Sequence, residues 1–380
     1  MLALRANAER GFTCGIGIGG IGAGMVYALQ GNHDLGRNES RLGELLDSRD
    51  YCKLHIALHY IARFMGGSRR EPDSFRVWPI GFVGNDTAGL QLRTEMSSAG
   101  MDTRFVRTHP ALRTLFSVCF IYPDGSGGNI TSSNSAAGAL AVDDLRAALP
   151  YMKAAGARGV ALCLPEVPLQ LRRDFLEFAS ECGNYRVCSF VLGEIEQARE
   201  MGLVALADLL ALNQEEASAL LGQSADHVFD DALLVERAAE LTATRTNLRM
   251  IVSAGQKGAY GFECGSSQFC PAPALQPMST AGAGDALLAG VLCGLAAGIP
   301  FIRQNEHGRS FSGRILRTAL DLGVLNGSFS VTSPHTIHPD AVLENLFAFA
   351  RSHGASISES VRSACYECEP SFRESVPSVT

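Results

Sequence analysis

The sequence predicts an α/β fold in which a largely parallel sheet is covered by helices on both faces. From about residue 75, short β-rich runs alternate with helical stretches, the order that builds such sheets. The runs are apolar throughout rather than alternating, as strands buried on both sides must be. At 380 residues, with 46% hydrophobic and 19% charged, the chain is long enough for one large α/β domain or two ordinary ones.

Taken in order, the chain opens on a glycine-rich stretch. Seven of the fourteen residues from 11 to 24 are glycine, which lowers helix propensity and hydrophobicity, so a strand and loop are expected rather than a signal segment or membrane span. Strands are expected at 77–83, 159–164, 187–192, 209–212 and 250–252, and helices at 88–99, 142–155, 168–181, 215–221 and 235–244. Residues 103–134 break the rhythm and read as antiparallel strands, with Pro123-Asp124-Gly125 as a turn, an insertion suited to a lid. The most apolar helical run, 286–302, contains Gly290, Gly294, Gly298 and Pro300 and falls short of the ~20 apolar residues a bilayer requires. A single domain is expected over 1–357 with a disordered polar tail at 358–380.

With 32 basic against 39 acidic residues the net charge is −7, which argues against a broad surface for nucleic acid or anionic lipid and points to small-molecule partners. Lysine is scarce: Lys53, Lys153 and Lys257 precede Leu54, Ala154 and Gly258, so a Walker A loop is excluded. The eleven cysteines are odd in number and several sit in apolar runs, the usage of a reduced, cytoplasmic protein.

Three segments carry chemistry. The run Ser279-Thr280-Ala281-Gly282-Ala283-Gly284-Asp285 opens the long apolar helix, where glycines admit a ligand to unpaired helix-terminal N–H groups and so make an anion site without basic side chains. An aspartate in that first turn complements the helix dipole; it would also stand beside a bound phosphate, placed to take a proton from an attacking hydroxyl. Asn213-Gln214-Glu215-Glu216 follows a buried strand at the end where α/β sheets bind ligands. Asn213 and Glu216 either reach a Mg²⁺ ion or its waters, or form a helix capping box. Gly255-Gln256-Lys257-Gly258 after the strand at 250–252 reads by itself only as a turn.

The order of these segments resembles the PfkB family of carbohydrate kinases, with its ribokinase-like fold. STAGAGDALLAG is similar to the family's C-terminal signature, NQEE to its Asn-x-x-Glu motif and SAGQKGAYGF to its nucleotide-side turn, while PIGFVGNDTAGLQLRTEMSSAGMDT resembles the segment leading into its lid. The resemblance covers about residues 75–340 and implies a three-layer α/β/α domain with a small antiparallel β lid. It implies ATP and Mg²⁺ as cofactors, Asp285 as the base, and the amides of Gly282, Ala283 and Gly284 as an anion hole. Asn213 and Glu216 would serve magnesium and phosphates, Gly255 and Thr280 would border the nucleotide, and Asn134 falls near the family's substrate-side asparagine. Ser279 stands where the family usually has an aspartate associated with a monovalent cation, so dependence on such a cation stays open. The family's Gly-Gly-x-x-x-Asn element is not recognisable before residue 75. Asn38, Glu39, Arg41, Asp50 and Lys53 in its place are candidate acceptor contacts, and a polar surface helix accounts for them equally.

The implied reaction is ATP-dependent phosphorylation of a hydroxyl on a small sugar or sugar-like substrate, with an exposed lid hairpin as a dimer contact. A nucleoside kinase of the same fold and a kinase-like binding protein without turnover are the alternatives within the resemblance. A third is an NAD(P)-dependent oxidoreductase, from the Gly-x-Gly-x-x-Gly pattern at Gly17, Gly19 and Gly22. His55 and His59, four apart, could hold a metal, but no HExxH pattern accompanies them. Cys365 and Cys368 form a lone pair in the tail.

Overall fold

The computed structural model describes residues 1–67, 74–124, 127–222 and 231–368. The chain begins with β1 (Leu2–Leu4), β2 (Cys14–Ile18), β3 (Gly22–Leu29) and β4 (Gly43–Tyr51), then α1 (Lys53–Phe64). Next come β5 (Arg76–Gly84), α2 (Thr87–Ser98), β6 (Val106–His109), β7 (Leu115–Ile121) and β8 (Gly127–Thr131). The middle runs α3 (Val142–Arg146), α4 (Leu149–Ala155), β9 (Gly159–Cys163), α5 (Leu169–Glu181), β10 (Tyr185–Cys188), α6 (Ile195–Glu200) and α7 (Leu203–Leu206). Then follow β11 (Leu209–Asn213), α8 (Gln214–Leu220), α9 (Asp231–Thr244), β12 (Arg249–Ser253), β13 (Gly258–Glu263), β14 (Ser266–Pro271) and α10 (Ala283–Ala296). Last are β15 (Glu306–His307), β16 (Ile315–Leu316), α11 (Ala319–Ser330), α12 (Leu343–Ser352), β17 (Ser356–Ile357), α13 (Glu359–Ser363) and β18 (Cys365–Glu367).

Ten strands form one sheet in the order β15-β14-β13-β12-β11-β10-β9-β2-β5-β6, parallel except where β13 runs against β12 and β14. Successive residues of a strand face opposite sides. On β9 this puts Val160 and Leu162 in a core with α1, α10 and α11, and Ala161 and Cys163 in a second core with α5. The three layers follow from that division. The strands expected from continuous apolar runs are present at all five positions, with β10 beginning and ending earlier than expected. The expected helix over 142–155 is divided into α3 and α4. The apolar helix is α10: it stops at Ala296 because Gly298 takes φ +74° and Pro300 cannot continue it. Among the described residues, no helix is long and apolar enough to cross a membrane.

The lid is a separate four-stranded sheet in the order β4-β3-β7-β8. Its two hairpins, β3–β4 and β7–β8, are antiparallel and join through the parallel pair β3–β7. The boundary expected for it, 103–134, needs correction at its start: Thr103–Phe105 forms a 3₁₀ turn and β6 joins the edge of the main sheet beside β5. Half the lid comes instead from β3 and β4. The segment GELLDSRDY was open to a reading as a polar helix because β4 is an edge strand exposed over most of its length, with no apolar alternation to mark it. Of the expected turn, Gly125 lies outside the described residues.

Two further expectations change. The glycine pattern at 17, 19 and 22 makes no dinucleotide turn, because β2 leads into the strand β3 and no helix opens there. Those glycines serve packing: a Cβ on Gly17 would lie 2.7 Å from Leu54 Cδ1, and one on Gly22 would lie 2.6 Å from the Leu115 carbonyl. The chain at 358–368, expected to be disordered, forms α13 and β18, the latter paired antiparallel to β1 with Leu4 opposite Cys365. A short N-terminal strand with an open edge supplies the partner the sequence does not advertise. Residues 369–380 lie outside the described chain. Cys365 and Cys368 donate to the carbonyls of Val361 and Met1, and among the described residues no cluster of three metal-ligating side chains occurs.

Candidate active site

The site lies beyond the carboxyl ends of β2, β9, β11 and β12, where Gly20, Glu166, Asn213 and Gly255 follow or end those strands. Gly282 is the N-cap of α10 at φ +76°, a conformation that favours glycine, and a Cβ there would come within 2.8 Å of the Thr336 carbonyl. Gly284 is different. A Cβ on it would meet nothing within 4 Å, so its missing side chain keeps space open for something outside the fold. Thr280, Ala283 and Gly284 line a cavity of about 780 Å³ together with Asn213 and Gly255. Leu275, Leu287, Val324 and Val331 form apolar wall of the same cavity. The Ala283 N–H is turned to the Thr280 carbonyl at 3.3 Å, which leaves the amides that follow it in the first turn aimed along the helix axis. Ser279, buried, accepts from the Ala281 N–H and closes the preceding turn.

Asp285 is 8% exposed in that first turn, and burial raises its pKa above the usual aspartate value, with the Lys53 ammonium opposing. Lys53 opens α1 and places its Nζ 3.9 Å from Asp285 Oδ2. That carboxylate is the main reason the Lys53 pKa is raised.

Glu166, just past β9, was missed by the sequence reading. It takes φ +75°, uncommon for a residue with a side chain, and its Oε2 is buried without a hydrogen-bond partner. A Cβ on Gly20 would lie 2.3 Å from that oxygen, so Gly20 makes room for the carboxyl. Burial pushes the Glu166 pKa up to about 7; the Lys53 ammonium and the Cys52 thiol oppose, and Asp285 adds to the rise. The signal was present as a charged residue between Pro165 and Val167 at the carboxyl end of a buried strand.

Asn213 and Glu216 form the capping box of α8: the Asn213 side chain accepts from the Glu216 N–H, and Glu216 Oε2 accepts from the Asn213 N–H, both at 2.8 Å. Burial raises the Glu216 pKa, and the charges of Lys53 and Asp285 act on it, so this cap shares the electrostatics of the site. Gly255 lies at φ +55° with open space around it; Gly258, at φ +127°, turns the chain into β13 where a Cβ would strike the Cys270 carbonyl at 2.0 Å.

Of the acceptor candidates, Asp50 and Lys53 belong to this region and Asn38, Glu39, Arg41 and Asn134 do not. Asp50 sits on β4 opposite Gly24, is buried, and accepts from Ser117 Oγ at 3.0 Å and Cys119 Sγ at 3.1 Å. Asn38 stands exposed at φ +60° in the β3–β4 loop, beyond Gly43, which is about 20 Å along the strand from Asp50. There Glu39 and Arg41 pair with each other at the lid tip. Asn134 is exposed in the turn after β8 and makes no hydrogen bond with the other candidates among the described residues. His55 and His59 are packed side by side inside α1's core face, and burial lowers the pKa of both.

The sequence model described as pfkB family carbohydrate kinase matches residues 60–342. No protein of curated function matches the sequence. Among solved structures, a ribokinase from Cryptococcus neoformans var. grubii serotype A in complex with ADP is similar at a TM-score of 0.67 and 20% identity, covering 88% of this chain and 98% of that one. A nucleoside kinase from Burkholderia thailandensis in complex with inosine gives 0.62 and 15%, covering 90% and 99%. A fructokinase from Vibrio cholerae O395 in a fructose, ADP and calcium ion bound form gives 0.60 and 18%, covering 89% and 99%. At these identities the structures speak for the fold, and the family match, spanning well over half the chain, speaks for descent: the chain belongs to the pfkB family of carbohydrate kinases.

Proposed function

We propose that this protein transfers the γ-phosphoryl group of ATP to a hydroxyl of a small sugar or sugar-like molecule, with Asp285 as the base. The observation that carries the reading is a carboxylate in the first turn of α10, next in the chain to Gly284, which has open space beside it and lines a cavity with Thr280 and Ala283. The nucleotide base fits the apolar wall at Leu275, Leu287, Val324 and Val331, while Gly255 and Thr280 border the phosphates. The first-turn amides of α10 receive the transferring phosphoryl group, which suits a chain with three lysines. Asp285 takes the proton of the acceptor hydroxyl; that oxygen bonds to the γ-phosphorus as the bond to the β,γ-bridging oxygen breaks, and ADP leaves with the electron pair. Lys53, 3.9 Å from the base, favours the ionised carboxylate against the burial that raises its pKa.

The donor set fits a magnesium ion held mainly by nucleotide phosphates and water. Glu216 Oε2 is committed to the cap, which leaves its other oxygen for such waters, with Asn213 holding the carboxylate in place. When bound, the ion would neutralise phosphate charge. The lid closes over the acceptor and excludes water that would otherwise be phosphorylated. A homodimer through the lid belongs to the same reading and is supported by Leu42, Leu45 and Ile130, which are exposed there. The eleven cysteines, none in a disulfide, support a reducing, cytoplasmic setting.

The test is phosphotransfer. Purified protein with Mg²⁺ and ATP is offered a panel of pentoses, hexoses and nucleosides, and products are followed by ³¹P NMR. A phosphate monoester of one panel member is expected; ATP left unchanged by every member would contradict the reading.

A further inference from the structure

The loop between α11 and α12, residues 331–342, touches the cavity, α10 and the lid in turn. At its start Val331 lines the cavity, and its carbonyl accepts from the Met278 N–H at 2.8 Å. Further on, the Thr336 carbonyl packs against Gly282, the N-cap of α10. The same residue reaches the lid: Thr336, buried, accepts from the Tyr51 N–H at 3.2 Å and donates to the Arg49 carbonyl at 3.5 Å through Oγ1. Beside it His335 meets two side chains of β4, with Nε2 3.1 Å from Arg49 Nη2 and Nδ1 2.7 Å from Asp47 Oδ2. A guanidinium only donates, so Nε2 is the acceptor and the ring proton stands on Nδ1, toward Asp47. Nδ1 and Oδ2 are close without being aligned as a hydrogen bond, and neither is bonded elsewhere among the described residues. Asp47 is buried, and its Oδ1 accepts from the Arg49 N–H at 2.9 Å, which holds the two partners of the ring in one turn of backbone.

These contacts hold a strand that its own sheet holds weakly. β4 is at the edge of the lid with β3 as its one neighbour there, and the register shifts on both sides of the Val26–Asp47 pair. Such a strand opens locally at low cost. What holds it also bears on the chemistry, because the chain leaves β4 through Cys52, the N-cap of α1, into Lys53, whose Nζ is 3.9 Å from Asp285. A nucleotide against Val331 fixes one end of the α11–α12 loop, and His335 and Thr336 fasten the other end to β4. Opening β4 then costs more with the cavity filled than with it empty, which is a coupling between the two sites.

We propose, resting on the kinase reading above, that His335 is a positioning residue: through Arg49 and Asp47 it fastens the lid strand β4 to the loop that borders the nucleotide cavity, so that a bound nucleotide steadies β4 and the Lys53 that follows it. His335 touches neither substrate nor reacting atoms in this account and acts through β4 alone.

Hydrogen exchange of the full chain, read by mass spectrometry, is followed in peptides covering 43–51 and, at the opposite edge of the lid, 127–131. Each is measured with and without saturating Mg²⁺ and β,γ-imido-ATP, whose affinity is taken by calorimetry. In wild type the nucleotide should slow exchange in 43–51 by about threefold or more, with a smaller effect in 127–131. His335→Ala should lose most of that slowing while keeping nucleotide affinity within about threefold, and His335→Gln, whose amide can accept from Arg49 and donate to Asp47, should retain it. A merely structural role would change exchange without nucleotide and leave the response to nucleotide intact. Where His335→Ala fails to bind the nucleotide, Arg49→Met, which removes the donor to Nε2 from an exposed side chain, is read in its place and should lose part of the slowing. Exchange in 43–51 that ignores the nucleotide in wild type overturns the proposal, as does a full wild-type response in whichever variant binds it. Either result leaves the kinase reading standing, whereas failure of wild type to bind the nucleotide overturns that reading and this proposal with it.

Discussion

Replacing Glu166 by glutamine should stabilise the protein at alkaline pH and have much less effect in acid. Burial beside Lys53 and Asp285 pushes the Glu166 pKa from an ordinary 4.5 up to about 7. A folded pKa above the unfolded one favours the fold while the group is protonated; that contribution is complete below about pH 4.5 and is lost as pH rises through 7. The gap of about 2.5 pH units, at ~1.36 kcal/mol each, comes to about 3 kcal/mol, of which about 2.5 kcal/mol falls between pH 5 and pH 8.5. For 380 residues with an unfolding entropy on the order of 2.1 cal/mol/K each, that difference moves Tm by about 3 °C. Scanning calorimetry of wild type and Glu166→Gln at about pH 5 and about pH 8.5 measures it, with the variant's advantage growing by about 3 °C across the interval. An advantage that stays constant with pH would refute the reasoning, because glutamine then relieves nothing that titrates and the carboxyl is not held in a dry, poorly compensated place.

Gly284→Ala should leave Tm nearly unchanged, since its Cβ enters open space, yet weaken ATP binding by about tenfold or more, read by calorimetry. Asn213→Ala removes the N-cap of α8 and should cost about 1 kcal/mol of stability in urea unfolding, with weakened ATP binding because Glu216 loses its anchor.

The centre of the main sheet was legible because its parallel strands there are buried on both faces and so read as continuous apolar runs, as at 159–163 and 250–252. The α10 entrance was legible for a different reason: its glycines and aspartate act within one helical turn, so adjacent letters carry the geometry. The acceptor side was not, because it depends on register between segments far apart in sequence. Asp50 takes its meaning from lying opposite Gly24, and Glu166 from the space left by Gly20. The lid edge strand β4 is exposed over most of its length and carries no apolar run, so it did not declare itself and Asn38 was grouped with Asp50 although a strand's length separates them. Gly17, Gly19 and Gly22 invited a dinucleotide reading because glycine clears space for side chains as readily as for phosphates, and only the following element, a strand, decides between them.

On the proposed mechanism Asp285 moves the proton while the turn around it binds phosphate. Single-turnover phosphotransfer by Asp285→Asn, with ATP affinity measured on the same preparation, separates these roles. The rate should fall by about three orders of magnitude or more with ATP affinity within about threefold of wild type. Wild-type turnover in the variant would contradict it.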